Sequence, residues 1–171
     1  APRIGTVGCS LSHCKAWQTF LDSQFQYALI LEDDVSFQPH ELGPVLKSLM
    51  QRCALWDIAS LEVSHKGCPL KIAPLGQGQS LVVYLTEVAH SGAYLLNRRA
   101  ARRLLEGALP IQRPLDAYLS RSWESGLKFL GVEPRLVKQL KEDSEIESSN
   151  RMQVASALSH WGLCLRKGFY R

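Results

Sequence analysis

Three consecutive carboxylates, Glu32-Asp33-Asp34, follow directly on an apolar run from Tyr27 to Leu31. Adjacent like charges repel, and the cost grows where water is partly excluded, so such a cluster usually has a cation to neutralise it. Oxygen-only ligands suit a hard divalent ion such as Mn²⁺ or Mg²⁺. On an extended backbone Glu32 and Asp34 point to one side and Asp33 to the other. One side would hold the metal, and the other could hydrogen-bond a ribose or orient a loop. A metal held this way can grip a diphosphate and stabilise the charge that grows on a leaving group. The other reading of the triplet is an acidic loop after a strand, because exposed charges need no partner.

The elements that must position these groups follow from periodicity. The run Tyr27 to Leu31 has the pattern of a strand buried on both faces, with its C-terminal end opening into a site. Ser10 can cap a helix to about residue 23, with Leu11, Cys14, Trp17 and Leu21 on one face. A second helix is predicted over residues 40–52, with an apolar stripe of Leu42, Val45, Leu46 and Leu49. Pro44 is tolerable only near its first turn, which places the start after His40. Residues 57–63, 80–85 and 93–96 read as strands, and residues 67–79 as a loop containing a short strand. Asn97 can cap a helix that stops at Gly107, and Pro114 can open one that Gly126 ends. Residues 127–132 and 135–137 are short strand candidates, and 141–150 reads as a polar loop. Strands alternating with helices predict an α/β fold with a mixed, mostly parallel sheet flanked by helices. Trp17 and Trp56 are read as core.

The 171 residues fit one domain, with an irregular segment over about 141–171. Hydrophobic residues make up 46% and charged residues 21%, an ordinary globular balance. No apolar run reaches the ~18–20 residues that span a bilayer. The five cysteines, Cys9, Cys14, Cys53, Cys68 and Cys164, are odd in number and form no C-x-x-C pair. They read as free, mostly buried thiols in a reducing compartment. Cys9 and His13 sit four apart on the predicted helix, but a four-ligand zinc site lacks two partners. The net charge is +4, and its densest cluster, Arg98, Arg99, Arg102 and Arg103, reads as a solvated helix face. Its other reading is attraction to phosphate or to an anionic membrane surface, which limits membrane contact to the periphery. There is no aromatic-interleaved basic stripe, which argues against nucleic-acid binding.

The segment Gly8-Cys9-Ser10-Leu11-Ser12-His13, with Trp17 after it and then Leu31-Glu32-Asp33-Asp34-Val35, closely resembles glycosyltransferase family 25. Weaker matches continue in order through Trp56-Asp57-Ile58 with Leu61, Gly92-Ala93-Tyr94-Leu95-Leu96, Pro114-Leu115-Asp116 and residues 134–139, then Ser144 and Ile146. The family includes bacterial lipooligosaccharide galactosyltransferases and is related to collagen galactosyltransferases. The resemblance implies a GT-A-like nucleotide-sugar fold and a metal-dependent, inverting transfer, commonly of galactose from UDP-galactose. For this chain it implies a lipooligosaccharide-type glycan or glycolipid acceptor and a cytoplasmic protein, at the inner face of the membrane.

Carried over, Asp34 and Glu32 become the metal ligands, Mn²⁺ first and Mg²⁺ second. Glu32 and Asp33 become donor contacts, as do Ser12 and His13, though either of the last two could instead satisfy a local hydrogen bond. Inversion needs a base for the acceptor hydroxyl. Asp116 is the candidate, against its reading as an ordinary first-turn aspartate, with Glu62 and Asp57 in reserve. His90 could line the acceptor side. Members usually carry a strand and helix before Gly8, and only seven residues precede it here. That predicts an incomplete uridine pocket and an unpaired edge that favours self-association. It also frames the alternative function, a non-catalytic glycan- or protein-binding module.

Overall fold

Apolar side chains that alternate along a strand need an apolar layer on each side. Residues 4–140 are described by the structure, a computed structural model, and they build those layers. In β1 (Tyr27–Leu31), Ala28 and Ile30 face one cluster and Leu29 and Leu31 the other. The first cluster lies under α1 (Ile4–Asp22), and the second under α2 (Pro39–Gln51), which contributes Leu42, Val45, Leu46 and Leu49. The short strand β2 (Val35–Phe37) lies between β1 and α2 in the chain. Helix α2 starts at Pro39, not after His40, and tolerates Pro44 in its interior. The missing N–H at Pro44 leaves one turn unbonded, where His40 is exposed.

After a single 3-10 turn, Cys53–Leu55, the chain forms β3 (Ile58–Ser60) and β4 (Ser64–His65). A hairpin of β5 (Leu70–Gly76) and β6 (Gln79–Val83) follows. Its turn runs through Gly76, Gln77 and Gly78, with φ of 92°, 51° and 81°; the two glycines adopt this without strain, and Gln77 sits between them in the left-handed region. Then come β7 (Val88–Ala89), β8 (Ala93–Asn97) and α3 (Arg98–Gly107). The Asn97 carboxamide accepts the Ala100 N–H at 2.8 Å, which is the N-cap read from sequence. The predicted helix after Pro114 is broken at Arg121 into α4 (Leu115–Ser120) and α5 (Ser122–Ser125). Gly126, at φ 67°, ends it. Strands β9 (Phe129–Glu133) and β10 (Val137–Gln139) complete the described chain.

The main sheet has the order β1-β8-β3-β9-β6-β5. It is mixed and flanked by helices, but not mostly parallel. Of its five pairings only β3–β9 is parallel. Strand β8 slots between β1 and β3, antiparallel to both, and the β5–β6 hairpin extends the far side. Apolar runs mark strands as buried, and that burial does not encode direction.

Three local expectations change. Helix α1 begins before Ser10, and its buried face is Ser10, His13, Ala16, Trp17 and Phe20, while Leu11 is 47% exposed. A polar residue takes a core position there because His13 finds partners inside. None of the four described cysteines is buried, since Cys9 and Cys14 flank the buried face of α1 and Cys53 and Cys68 lie in turns; Cys164 lies outside the described residues, as does the loop predicted over 141–150. The arginine cluster is not a freely solvated face. Arg98 donates to the carbonyls of Phe20, Leu21, Ser23 and Phe25 at the end of α1. Arg99 pairs with Asp57 at 2.6 Å, and Arg103 bonds Glu106 and the Ser125 carbonyl.

Candidate active site

The acids that follow β1 meet α1 from one side. His13 Nε2 lies 3.2 Å from Glu32 Oε1, and the Cys9 thiol 3.5 Å from the same oxygen. Cys9 and His13 share this face because they sit one helical turn apart. The other imidazole nitrogen, Nδ1, is 2.7 Å from the Tyr94 hydroxyl, which also accepts the Trp17 indole N–H at 2.9 Å. Burial pushes the Tyr94 phenol far above its ordinary range, so it keeps its proton. Indole can only donate, so it occupies one lone pair of the Tyr94 oxygen; a Tyr94 proton given to Nδ1 leaves the His13 proton on Nε2, toward Glu32. The chain of bonds from Trp17 through Tyr94 and His13 thereby orients Glu32. The Glu32 N–H donates to the Gly92 carbonyl at 2.7 Å, which pins the turn to the start of β8.

Asp33 is exposed in that turn. Asp34 turns inward, where Gln139 donates to Oδ2 at 2.9 Å and the Leu140 N–H to the Asp34 carbonyl. Its Oδ1 is buried and has no hydrogen-bond partner among the described residues. An orphaned carboxylate oxygen beside other acids is the donor expected of a Mn²⁺ or Mg²⁺ site. Asp34 Oδ1 therefore suits a hard divalent ion, with Glu32 two residues before it in the same turn. Cys9, His13 and Glu32 also offer ligand atoms within 4.8 Å of one another. That set supplies a third ligand the Cys9/His13 spacing lacked, but both His13 nitrogens are already engaged.

A second group stands across the turn. Glu62, just past β3, is 2% exposed. Burial pushes its carboxyl up; the positive field of His90 and the Gly92 N–H pull it down, and the charges of Glu32 and Asp34 push it up again. Its Oε1 lies 3.8 Å from His90 Nδ1. His90 holds a left-handed backbone, φ 76°, and its N–H donates to Asp116 Oδ2 at 3.3 Å. The other Asp116 oxygen takes the Ala117 N–H at 2.7 Å at the start of α4. Glu62, His90 and Asp116 thus form one line beside the acids of β1.

Of the remaining sequence candidates, Ser12 is exposed on α1, its hydroxyl donating to the Gly8 carbonyl at 3.0 Å. Asp57 lies at the opposite end of β3 and bonds Asn97, Arg99 and the Lys128 N–H. Those partners latch β3 to α3, and Asp57 is not part of the acid group. Trp17 and Trp56 are core, at 0% and 1% exposure. Tyr94 and Gln139 join the site without being candidates by motif or charge pattern. Tyr94 did leave a signal, because a hydroxyl inside an otherwise apolar strand must find a partner. Gln139 left none.

Comparison with known proteins assigns the chain to a family. A family model described as "Glycosyltransferase family 25 (LPS biosynthesis protein)" matches residues 4–119. The chain is similar to "Procollagen galactosyltransferase 2" of Mus musculus, with 30% identity over 67% of this chain and 19% of the relative. It is similar to "Procollagen galactosyltransferase 1" of Danio rerio, with 22% identity over 92% of this chain and 30% of the relative. A "Glycosyltransferase 25 family member" of Drosophila pseudoobscura pseudoobscura is 24% identical over 75% of this chain and 22% of the relative. The chain spans between about a fifth and a third of the length of these relatives. With the family match covering more than half of its residues, the chain belongs to glycosyltransferase family 25.

Proposed function

We propose that the chain carries the donor site of a metal-dependent, inverting hexosyltransferase that moves galactose from UDP-galactose to a glycan or glycolipid acceptor of the lipooligosaccharide type. The observation that carries the metal-dependent reading is the orphaned Asp34 Oδ1 among neighbouring acids. Relatives named as galactosyltransferases support the sugar. No helix among the described residues is long and apolar enough to cross a membrane. A cytoplasmic enzyme meeting its acceptor at the inner face of a membrane is the setting this reading adopts.

Asp34 and Glu32 would hold Mn²⁺, which when bound supplies positive charge beside the leaving diphosphate. Asp33, exposed at the tip of the turn, can reach the donor's sugar or ribose, and Ser12 is a further exposed donor contact on α1. His13 holds Glu32 in one orientation, so the acid does not have to be ordered when the donor arrives. Asp116 serves as base. As the acceptor oxygen bonds to the anomeric carbon, the bond from that carbon to the diphosphate oxygen breaks. The acceptor hydroxyl proton passes to the Asp116 carboxylate, and UDP departs. A second assignment of the base is Glu62, favoured by its raised carboxyl and its place between His90 and the β1 acids.

The test is calorimetry of UDP with and without Mn²⁺, followed by UDP release from UDP-galactose with glycan acceptors. Metal-dependent UDP binding that Asp34→Asn abolishes supports the reading, and UDP binding indifferent to Mn²⁺ overturns its metal. For the base, Asp116→Asn should keep UDP binding and lose ~10²–10⁴ in turnover. Such a loss in Glu62→Gln alone would transfer the role to Glu62.

A further inference from the structure

A cavity of about 300 Å³ opens beside the acid site, between α1, α3 and the α4–α5 segment. The same two elements wall both. Helix α1 gives Cys9 and His13 to the acids and Ser10 and Cys14 to the cavity, while α4 gives Asp116 to the one and Leu115 and Tyr118 to the other. The volume is at the lower end of small-molecule sites, large enough for one sugar ring.

Its chemistry has two parts. The floor is apolar, with Leu115 and the half-buried ring of Tyr118 over the buried Trp17. Ser10 interrupts it. Ser10 is only 7% exposed and lines the cavity, where its hydroxyl can meet a ligand hydroxyl. The rim is basic. Arg103 is matched by Glu106 at 3.0 Å, but Arg113 and Arg121 share the single carboxylate of Glu124, at 2.6 and 3.0 Å. Three guanidinium groups against two carboxylates leave one positive charge in excess at the mouth. Guanidinium forks match carboxylate and phosphate oxygens in geometry as well as charge.

We propose that this cavity binds an acidic sugar unit, a pyranose bearing a carboxylate or a phosphate. Its ring lies against Tyr118 and Leu115, a ring hydroxyl meets Ser10, and the anionic group is held by Arg113 and Arg121. That this unit is part of the acceptor glycan rests on the transfer reading above.

The experiment is calorimetry of the 171-residue chain with glucuronate, glucose 6-phosphate, galactose and inorganic phosphate, each without UDP or metal. At least one acidic sugar should bind at least tenfold more tightly than both galactose and inorganic phosphate. Whichever acidic sugar binds names the anionic group. Arg113→Gln and Arg121→Gln should each weaken it about tenfold, and Ser10→Ala about threefold, with Mn²⁺-dependent UDP binding unchanged as the control for folding. The proposal is overturned by galactose or inorganic phosphate binding as well as the acidic sugars, by no binding at all, or by indifference to both arginine variants. Acidic-sugar binding in a chain that fails to bind UDP would remove the donor reading and leave the cavity's assignment standing. UDP binding without acidic-sugar binding would do the reverse.

Discussion

Glu62 sits at the junction of two groups that charge would otherwise separate. Its carboxylate is packed so closely that a Cβ built on Gly92 would overlap Glu62 Oε2 and stand 2.9 Å from Val35 Cγ1. Gly92→Ala should therefore cost about 1–3 kcal/mol in urea unfolding, the usual range for overpacking. Most of that cost should vanish in a Glu62→Ala background, because the two residues touch. A burial-raised carboxyl also has a signed effect on stability. The folded state holds the Glu62 proton more tightly than the unfolded chain does. The folded state is thus favoured most below the unfolded pKa, ~4.3, and loses this contribution as pH rises toward the folded pKa. Glu62→Gln removes the ionisation, so its thermal midpoint should exceed that of the parent at pH 7 and match it near pH 4. A midpoint at pH 7 no higher than the parent's would contradict the burial that places Glu62 in the site. Asp57 has the opposite sign. Burial works against its charge, but Asn97, the Lys128 N–H and Arg99 outweigh it and hold the carboxyl below the usual range. Asp57→Asn should destabilise at neutral pH, and the difference should close as pH falls through the folded pKa, below ~3.9.

At the scale of elements, one hydroxyl satisfies two buried polar groups of α1. Tyr94 on β8 takes the Trp17 N–H and bonds His13 Nδ1, so two buried α1 groups depend on it. Tyr94→Phe keeps the ring and orphans both, which should cost about 1–3 kcal/mol. It should also weaken metal-dependent UDP binding, because His13 then loses the bond that fixes its proton toward Glu32. Unchanged UDP affinity would mean that the orientation of Glu32 does not matter to the donor. This docking also shows what the sequence could convey. Strand β1, the α2 stripe, the Asn97 cap and the stop at Gly126 were legible because each is a pattern within one or two turns. The face of α1 was misjudged because hydropathy ranks His13 below Leu11. The two residues that reverse that ranking, Glu32 and Tyr94, lie 19 and 81 positions away. Similarly, Arg98 reads as a solvated charge until the end of α1 is brought to it.

Over the whole molecule, the strand order explains why the acid triplet stands out in the sequence while the residues it meets do not. With β8 inserted between β1 and β3, the ends of β1 and β3 and the entry to β8 are brought side by side. Glu62 and Gly92 become neighbours there, and Gln139 reaches Asp34 across 105 positions of sequence. A site assembled from α1, β1, β3, β8, α4 and β10 ties the folded chain together from near its first described helix to its last described strand. A ligand that fills it should then stabilise the entire fold rather than one loop. With UDP and Mn²⁺ at ~100 times the dissociation constant, binding adds about 2.7 kcal/mol. For a chain of this length that raises the melting temperature by roughly 5–10 °C. Far-ultraviolet dichroism and tryptophan fluorescence should shift together, since helices and strands from both ends share the ligand. Asp34→Asn should lose the metal-dependent part of the shift, while Asp116→Asn, which leaves the donor side intact, should retain it. A fluorescence shift without a matching dichroism shift would show that the ligand orders only its own loops, and that the acids of β1 are not coupled to the sheet that carries them.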